Sequence, residues 1–398
     1  MNFNTTPVLI AGAGIGGLAC ALALARRGMS CHVFEQRANI TQEGAGIQIG
    51  PNGVHILRQL GVADALAPLT SSPVSLRIMD GVSGRELACL ALGETIEQRH
   101  GAPYWTAHRA DLHSALLTKA QANPLISFSL GSGVAAAISN SDCVELNLSD
   151  GCRIEGPALI AADGMWSRLR ETIFNTPALQ YDLQYSGSRA YRAVIPAAQL
   201  PTELSAASTH IWLSPHAHAV HYPVRAGQEV AIIAVFADTD PAPGWGTEVL
   251  ADSLQARFAN SAPTLRALMM RAPIWRGWPL MTLARSTPWV DGRIALLGDA
   301  AHPILPFLAQ GAVMALEDAM VLARHLESAP GAIPAVLSSY ARQRIPRTTR
   351  VARAAQRNGQ TYHLAGPMAA VRNAVLRASA PHRLLARYDW LYGWRAER

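Results

Sequence analysis

Three glycines near the N-terminus are spaced for binding a phosphate group. Gly12, Gly14 and Gly17 fit the pattern G-x-G-x-x-G between an apolar run and a helix-like segment. In such a turn the first glycine permits the tight bend, the second lets the backbone approach a pyrophosphate, and the third lets helix and strand pack closely. Glu35, at the end of the next apolar run, can accept hydrogen bonds from ribose hydroxyls. These residues predict a dinucleotide site, although the pattern does not separate FAD from NAD.

Two later segments place an aspartate and a glycine at the end of an apolar run. Asp163 and Gly164 follow the run 158–160, and Gly298 and Asp299 follow a second such run. Taken alone, either segment is an ordinary junction between a strand and a turn. Together with the glycine motif, however, they form a set that is typical of one family.

The set resembles the class A flavoprotein hydroxylases, the family of 4-hydroxybenzoate and salicylate hydroxylases. That family carries an N-terminal G-x-G-x-x-G, a central D-G and a late G-D. The resemblance covers essentially the whole chain, through the stretches 8–35, 108–112, 161–170 and 297–318. The C-terminal sequence 389–394 looks like the salicylate and 3-hydroxybenzoate hydroxylase branch. The chain thus resembles the branch of the family that contains the salicylate, 3-hydroxybenzoate and 6-hydroxynicotinate hydroxylases.

The resemblance implies a set of contacts to FAD. By their positions in the family motifs, Arg109 reaches FAD, Asp163 contacts the cofactor and Asp299 binds the ribityl chain. The helix that opens near Gly311 and Ala312 directs its positive end at the flavin. A helix N-terminus stabilises negative charge, which suits a site that must hold the reduced flavin.

The resemblance also implies the reaction, which is the hydroxylation of an aromatic ring. NADH or NADPH reduces FAD, O2 adds to give a C4a-hydroperoxide, and one oxygen atom passes to a ring carbon of the substrate. The flavin carries this chemistry, while the protein positions groups and excludes water. The substrate implied is a small phenolic or hydroxylated N-heteroaromatic acid. The sequence has no second G-x-G-x-x-G, which a reductase of the two-dinucleotide type would need.

Ionisation of a phenol needs a base with a pKa near neutrality, and histidine is the natural candidate. The segment 214–222 holds three histidines and Tyr222. If 218–222 is a strand, His218 and Tyr222 point to the same face, because side chains alternate along a strand. This pair resembles the active-site pair of the 3-hydroxybenzoate hydroxylases and is our candidate for catalysis. The alternative to a catalytic pair is a histidine-rich hairpin tip that is exposed to solvent, with Tyr222 as an ordinary core residue. A metal site is not expected, because the histidines have no carboxylate partners nearby in the sequence.

Further residues bear on the substrate. Gln48 occupies the position where 6-hydroxynicotinate hydroxylases have a catalytic histidine, which argues against that substrate. Its amide can still hydrogen-bond the substrate or the flavin. Phe307 stands in a loop where some relatives have histidine or glutamine, and Pro306 matches the proline of the salicylate hydroxylase loop. His302, close to Asp299, is interpreted as structural.

The hydrophobic pattern predicts the elements that hold these residues. The runs 8–11 and 31–34 read as buried strands on either side of a helix at 15–27, which makes a βαβ unit. Four strand-like runs between 189 and 236 are separated by turn formers and predict a mostly antiparallel sheet. After this sheet, the helix-like segment 310–326 returns the chain to the first domain.

We therefore expect an α/β fold with two domains. A discontinuous, Rossmann-like FAD-binding domain takes residues 1–184 and 281–398 and includes a helical C-terminal tail. The antiparallel sheet, at 185–280, is inserted into it and binds the substrate.

The composition limits other functions. With 398 residues, of which 49% are hydrophobic and 16% charged, the chain suits about two well-packed domains. The net charge is +6, but the arginine run 342–357 fits the solvated face of a helix, so no nucleic-acid partner is expected. No apolar run is long enough to cross a membrane, and the five cysteines have no metal or redox spacing. We expect a cytoplasmic protein with free thiols, and a homodimer is common in such families.

Three other classes of protein share some of these features. One is an FAD enzyme of the same fold that oxidises or epoxidises a non-aromatic substrate. The others are a ligand-binding protein without activity and a dehydrogenase that uses a nicotinamide cofactor alone. Visible flavin absorbance separates the FAD proteins from the dehydrogenase, and substrate-stimulated oxidation of NAD(P)H separates the enzymes from the ligand-binding protein.

Overall fold

The fold consists of two large sheets joined by helices. It is seen in a computed structural model that describes residues 6–40, 45–174, 183–238, 245–283, 288–329 and 331–396. The strands, in chain order, are β1 Val8–Ala11, β2 Cys31–Glu35, β3 Gly46–Ile49, β4 Ser75–Asp80, β5 Glu86–Ala91, β6 Trp105–His108, β7 Ile126–Leu130, β8 Val134–Ser139, β9 Val144–Leu148, β10 Arg153–Gly156, β11 Leu159–Ala161, β12 Leu183–Pro196, β13 Ser208–Ser214, β14 Ala217–Val224, β15 Glu229–Ala237, β16 Thr247–Leu250, β17 Ile274–Leu283, β18 Val290–Asp291 and β19 Ile294–Leu296.

The α-helices lie mainly in the first and last thirds of the chain. In chain order they are α1 Ile15–Ala25, α2 Pro51–Gln59, α3 Ala63–Leu66, α4 Gly93–His100, α5 Arg109–Gln121, α6 Arg168–Phe174, α7 Thr202–Ser205, α8 Ala251–Gln255, α9 Pro263–Met270, α10 Gly311–Ser328, α11 Ile333–Tyr362, α12 Gly366–Ala378, α13 Pro381–Ala386 and α14 Asp389–Tyr392. Within the described ranges, none of them is both long and apolar enough to cross a membrane.

The first sheet has six strands in the order β18-β19-β11-β1-β2-β7 and is parallel except at the edge strand β18. Every side chain of the central strand β1 is buried, as the apolar run predicted. Helix α1 ends at Ala25, two residues before the predicted end, because Arg26 and Arg27 form the turn that leads to Gly28. The predicted βαβ unit and the α/β class of the fold are confirmed.

The second sheet has eight strands in the order β16-β17-β12-β15-β14-β13-β4-β5. All its pairings are antiparallel except that of β13 with β4, so the expected mostly antiparallel sheet is confirmed. The sequence analysis did not place β4 and β5 in this sheet. Every side chain of β4 is partly buried, and β4 joins the sheet by a parallel pairing with β13, a segment far along the chain that no local pattern in the sequence indicates. Because the sheet draws strands from both sides of residue 185, the domain limits remain a prediction.

The last four helices form the expected helical tail, and they close one side of the eight-stranded sheet. Helices α12 and α13 pack against β5 at its edge, and α11 packs against the loop that follows the second G-D segment. The tail thus encloses a space between the two sheets.

Candidate active site

The glycine-rich turn between β1 and α1 is shaped by contacts that exclude side chains. Gly12 has φ +102°, and a β-carbon on it would lie 2.5 Å from the carbonyl oxygen of Ala162. A β-carbon on Gly17 would lie 1.9 Å from the carbonyl oxygen of Gly12. A β-carbon on Gly14, in contrast, would meet no atom within 4 Å. Open space therefore lies beside Gly14, at the start of α1, where a pyrophosphate is expected.

The backbone N–H groups at the starts of two helices have no side-chain cap. Helix α1 begins after Gly14 and α10 begins after Gln310, and neither of these residues caps its helix through its side chain. Gly311 and Ala312, the first residues of α10, are partly exposed. Uncapped helix N-termini attract anionic groups, because several N–H groups point outward at the positive end of the helix.

Two carboxylates lie at the same end of the parallel sheet. Glu35 accepts hydrogen bonds from the backbone N–H groups of Ala13, at 2.9 Å, and Arg37, at 3.0 Å. Its carboxylate is therefore fixed beside the glycine-rich turn. Asp299 is partly exposed, and no residue in the described ranges donates a hydrogen bond to its side chain. A free, partly exposed carboxylate next to the start of α10 can accept hydrogen bonds from the hydroxyls of a ligand.

Asp163 is engaged within its own turn. Its Oδ1 accepts a hydrogen bond from the hydroxyl of Ser167 at 2.6 Å, and its Oδ2 accepts one from the backbone N–H of Leu169 at 3.2 Å. Burial raises the pKa of Asp163, and these hydrogen bonds oppose the shift. Arg170, which is buried in the helix that follows, donates to the carbonyl oxygen of Ala300 at 2.8 Å and joins this turn to the G-D segment. Asp163 thus has a structural role besides any contact with the cofactor.

Two arginines approach the same region from different elements. Arg109 opens α5, and its backbone N–H donates to the carbonyl oxygen of Ala45 at 3.0 Å. Arg192 lies on β12, with its guanidinium 5.0 Å from the ring centroid of Trp278. Burial, followed by the charge of Arg109, lowers the pKa of Arg192 to about 10. Neither guanidinium has an acidic partner in the described part of the chain, so the pair favours an anionic ligand.

A cavity lies between the two sheets and the C-terminal helices, with a volume of about 720 Å³ including its opening to solvent. Its walls come from the eight-stranded sheet, from the loops of the parallel sheet and from the tail. The lining residues are Gln48, Leu76, Leu90, Leu92, Tyr104, Thr209, Ile211, His218, Val220, Pro306, Phe307, Leu308, Ala309, Asn358, Tyr362, Leu385, Tyr388 and Tyr392. Apolar and aromatic walls with a few polar groups are the usual lining of a site for a small organic molecule.

One group of polar side chains in the cavity centres on Gln48. The hydroxyl of Tyr104 donates to its Oε1 at 2.6 Å, and its amide also interacts with the hydroxyl of Tyr222. Burial raises the pKa of both tyrosines, so both hydroxyls keep their protons at neutral pH. Gln48 and Tyr104 therefore supply hydrogen-bonding groups to a cavity whose walls are otherwise mostly apolar.

The other polar group is a pair of histidines. His218 lies on β14 and is 5% exposed, and its Nδ1 is 2.8 Å from Nε2 of His363, the residue that follows α11. Its Nε2 has no hydrogen-bond partner in the described residues, although the ring lines the cavity. Burial, followed by the charge of His363, lowers the pKa of His218. The ring is thus neutral at neutral pH and has one nitrogen free for a ligand.

The alternative of a solvent-exposed hairpin tip is wrong for most of the segment. His216 is exposed in the turn, but His218 and Tyr222 are buried on the cavity face of β14. His221 is buried on the opposite face, where it accepts a 3.1 Å hydrogen bond from the indole N–H of Trp212. The predicted strand is confirmed, and alternation along it separates the two faces.

The loop that follows the G-D segment contributes a wall and a structural anchor. The ring of Phe307 packs edge-on to His218 with 5.3 Å between ring centroids. Gly359 makes this position possible, because a β-carbon there would lie 2.4 Å from the Phe307 ring. His302 is buried and bonds through Nε2 to Asp318 Oδ2 at 2.5 Å, in agreement with a structural role.

The structure brings together most of the residues selected from the sequence. The glycine motif, Glu35 and Asp299 lie at one end of the parallel sheet, whereas His218 and Gln48 line the cavity beside it. The sequence analysis missed Tyr104, His363 and the tyrosines of the tail, although one of these, at 392, stands in the C-terminal stretch that carried the resemblance. Within the described ranges, no group of three or more metal-ligating side chains occurs.

A dinucleotide turn of this geometry beside a cavity lined by apolar and aromatic side chains defines a nucleotide-dependent enzyme for a small aromatic ligand. The sequence matches the family model described as "FAD binding domain" over residues 5–355. It is 35% identical over 389 residues to the 3-hydroxybenzoate 6-hydroxylase of Polaromonas naphthalenivorans, covering 98% of this chain and 96% of that protein. It is 36% identical over 327 residues to the 6-hydroxynicotinate 3-monooxygenase of Bordetella bronchiseptica, covering 80% and 82%.

Comparison of the fold with solved structures indicates the same family. It is similar to a salicylate hydroxylase in a substrate complex, with a TM-score of 0.83, 25% sequence identity, and coverage of 99% of this chain and 97% of that one. The chain belongs to the FAD-binding family of aromatic hydroxylases. It is an FAD-dependent monooxygenase of aromatic rings, and the resemblance drawn from its motifs is confirmed.

Proposed function

We propose that this protein hydroxylates a small aromatic acid that carries a ring hydroxyl, either a phenolic acid or a hydroxylated pyridine carboxylic acid. NADH or NADPH is the proposed reductant and O2 the oxygen donor. The observation that carries the proposal is the free Nε2 of a neutral, buried His218 in an aromatic-lined cavity. A neutral imidazole nitrogen in this position can accept the proton of a phenol, which makes the ring electron-rich. The lowered pKa makes His218 a weaker base than the histidine near neutrality that was expected from the sequence, because burial disfavours its charged form. The three relatives are named for 3-hydroxybenzoate, 6-hydroxynicotinate and salicylate, which all carry a ring hydroxyl and a carboxylate.

The second polar group supports the acid part of the proposal. Gln48 offers its NH2 group to the cavity as a hydrogen-bond donor, Tyr104 holds the Gln48 amide in this orientation, and Arg192 brings a positive charge close to Tyr222. These groups can hold a carboxylate while His218 receives the hydroxyl. In this assignment His218 is the base and Tyr222 assists in positioning the substrate.

The residues at the end of the parallel sheet fit FAD. The open space beside Gly14, the uncapped N-termini of α1 and α10 and the unpartnered carboxylate of Asp299 match the phosphates and hydroxyls of a dinucleotide. We assign the FAD contacts to Gly12, Gly14, Gly17, Glu35, Gln48, Arg109, Asp163, Asp299, Gly311 and Ala312. Bound FAD supplies hydride acceptance and activation of O2. The chain's own contribution is to hold the ring beside the substrate and to exclude water.

The test is oxidation of NADH and NADPH by the purified protein in the presence of hydroxylated benzoates and hydroxypyridine carboxylates. Stimulation by one compound, with a product heavier by one oxygen atom, supports the proposal and identifies the substrate. Stimulation that yields hydrogen peroxide without a hydroxylated product marks the compound as a non-substrate analogue. A yellow protein whose NAD(P)H oxidation responds to none of the compounds would overturn the proposal. The cytoplasmic location and the homodimer stay predictions.

A further inference from the structure

The sheet wall of the cavity continues well beyond the strand that carries His218. From β14 the sheet runs through β13 and β4 to its edge strand β5. Thr209 on β13 lies opposite Leu76 on β4, and Leu76 lies opposite Leu90 on β5. Because neighbouring strands lie about 4.8 Å apart, the wall from β14 to β5 spans about 14 Å. Since all four of these residues line the cavity, the cavity extends further than a single ring with one carboxylate can fill.

The far part of the cavity is lined by four leucines, which we call the leucine end. They are Leu76 on β4, Leu90 on β5, Leu92 just after β5 and Leu385 on α13. Leu90, Leu92 and Leu385 are buried members of one hydrophobic cluster, and Leu76 packs against that cluster. The leucine end is therefore formed by elements that come from outside residues 185–280 and meet only in the fold.

The distribution of polar groups in the cavity is uneven. Among the described residues that line it, none is an aspartate, glutamate, lysine or arginine. His218 and Gln48 supply polar groups on one side, whereas the leucine side chains offer no hydrogen-bond donor or acceptor. Water is poorly held in such a place, since it needs two or more polar partners, and a carboxylate would lose its hydration without compensation. An apolar group, in contrast, gains free energy by leaving water for this surface.

We propose that the leucine end is a subsite for an apolar substituent on the aromatic acid, of the size of a short alkyl chain. The inference rests on the proposed function, since it takes the ring hydroxyl of the substrate to lie at Nε2 of His218. The order of the strands then places the substituent on the side of the ring that points away from β14. It is therefore attached at a ring position that is not adjacent to the hydroxyl. No bond of the substituent changes in the reaction, and its role is to bind and orient the ring.

The first test compares ligands that differ only in the substituent. The probes are 3-hydroxybenzoate and its derivatives with a propyl group at position 5 or position 6, neither of which is adjacent to the hydroxyl. Their dissociation constants are measured by calorimetric titration of the FAD-loaded protein without reductant. One of the two propyl derivatives should bind about tenfold more tightly or better, because each buried CH2 group contributes about fourfold to an affinity. Its binding should also show a more negative heat-capacity change, which marks the burial of apolar surface.

Two further ligands are controls. In 3-hydroxy-4-propylbenzoate the same alkyl group is adjacent to the hydroxyl, so it would lie beside His218 and not at the leucine end. In 5-hydroxyisophthalate a second carboxylate replaces the propyl group and would place a charge among the leucines. Neither should bind more tightly than 3-hydroxybenzoate. If the turnover assay identifies another acid of the panel as the substrate, the same set of derivatives of that acid is compared.

The second test fills the subsite by the substitution Leu76→Phe. The larger ring should reduce the preference for the propyl derivative over the unsubstituted acid from about tenfold to almost none. Met79→Phe is the matched control, because Met79 lies on the same strand but packs against the hydrophobic cluster on the opposite face of the sheet. Both side chains are partly buried, and Met79→Phe should keep the wild-type preference.

The outcomes separate the subsite from the proposed function. Hydroxylation of an unsubstituted acid, with no tighter binding of either propyl derivative, would overturn the subsite and leave the proposed function intact. An equal gain in affinity from the adjacent propyl group or from the second carboxylate would also overturn the subsite, since neither group fits the leucine end. Absence of both binding and hydroxylation with every acid of the panel and every derivative would remove the proposed function and the subsite together.

Discussion

The hydroxyl of Tyr104 donates a 2.6 Å hydrogen bond to the side-chain oxygen of Gln48. The two residues come from different parts of the sequence, and they meet because β3, which carries Gln48, pairs with β6, which begins next to Tyr104. Burial, followed by the neighbouring tyrosines, raises the pKa of Tyr104 and keeps its hydroxyl a donor. The bond fixes the orientation of the Gln48 amide, so that its NH2 group is the part left for Tyr222 and the cavity.

Replacing Tyr104 with phenylalanine should therefore weaken the binding of the aromatic acid. Loss of one hydrogen bond costs about 1 kcal/mol, which corresponds to a Kd increased about fivefold. The affinity for FAD should not change. The measurement is titration of the flavin absorbance with the substrate identified by the turnover assay.

Tyr340→Phe is the control for Tyr104→Phe. Tyr340 also has a buried hydroxyl, which donates to the carbonyl oxygen of Leu296 at 3.1 Å, but it does not line the cavity. We expect its removal to affect stability and not the affinity for substrate. Equal effects of the two substitutions on substrate Kd would show that the Tyr104–Gln48 bond has no specific role in binding.

Substitutions at two glycines of the same motif should have different effects. A valine at Gly14 would project into open space and leave the apoprotein folded, but it would occupy the room expected for the pyrophosphate. Gly14→Val should thus abolish the yellow colour without lowering the stability of the apoprotein. Gly17→Ala should destabilise the fold itself, because the new methyl group would lie 1.9 Å from the carbonyl oxygen of Gly12. The flavin content of the two purified variants and urea denaturation of their apoproteins distinguish the two effects. An unchanged FAD content in Gly14→Val would refute the assignment of this turn.

His218→Ala should lower hydroxylation far more than FAD binding. A positioned acid or base contributes about 100-fold to 10,000-fold to a rate, and we expect a loss in this range. The measurement is coupled turnover, meaning hydroxylated product formed for each NAD(P)H oxidised, together with the FAD dissociation constant. His216→Asn, two residues away and exposed, is the control. Coupled turnover at the wild-type level in His218→Ala would remove this residue from the catalytic role.

The elements that could be predicted from the sequence are those with a local signal. The strand Val8–Ala11 is buried on both faces and reads as an unbroken apolar run, and the glycine turn after it has a fixed spacing. The strand Ala217–Val224 was also recognisable, because it is a mostly apolar run between turn formers, and most of its side chains are buried on both faces. The strand Ser75–Asp80 was not assigned to this sheet because it pairs with Ser208–Ser214, a segment far along the chain, and its own alternation of polar and apolar residues does not indicate that partner.

The missed parts of the site depend on contacts between distant segments. His363 lies 145 residues after His218, and no local sequence pattern around either residue predicts the contact between them. Asp163 shows a second limit. Its motif predicts a contact with the cofactor, but the hydrogen bonds from Ser167 and Leu169 that occupy its carboxylate become visible only in the folded turn. A motif therefore gives the location of a residue more reliably than its role.

Arg344→Met should be strongly destabilising. Arg344 is 1% exposed, and it donates to Asp318 at 2.6 Å and to Glu317 at 2.8 Å, both of which are fully buried on α10. Removing one partner of a buried ion pair leaves uncompensated charge and costs about 3–5 kcal/mol. The measurement is the free energy of unfolding in urea. Arg353→Met, on the exposed face of the same helix, should change it by less than about 0.5 kcal/mol. Similar small changes in both variants would mean that the buried network has no net stabilising role.

Stability should fall as the pH is lowered from about 6.5, the ordinary pKa of histidine, to about 4. Burial is the main cause that lowers the pKa of His210 and His363, in each case to about 4. Above about pH 6.5 the folded and unfolded chains carry these rings in the same neutral form. Between the two values the unfolded chain binds protons that the folded chain does not, so the free energy of unfolding decreases. Asp318 cannot account for this window, because its pKa is lowered below the ordinary value of an aspartate.

The measurement is urea denaturation of the FAD-saturated protein at several pH values across this window. His210→Gln should make the loss of stability on acidification smaller, because it removes one group that is neutral in the fold and protonated in the unfolded chain. His382→Gln is the control, since His382 is exposed. An equal dependence of the free energy of unfolding on pH in His210→Gln and in the wild type would mean that His210 has the same pKa in the folded and unfolded chains, so that its burial does not control its protonation. The raised pKa of Asp163 acts in the opposite direction, because the folded chain then binds a proton more readily than the unfolded one. The comparison between variants, which share this contribution, is therefore more informative than the wild-type slope alone.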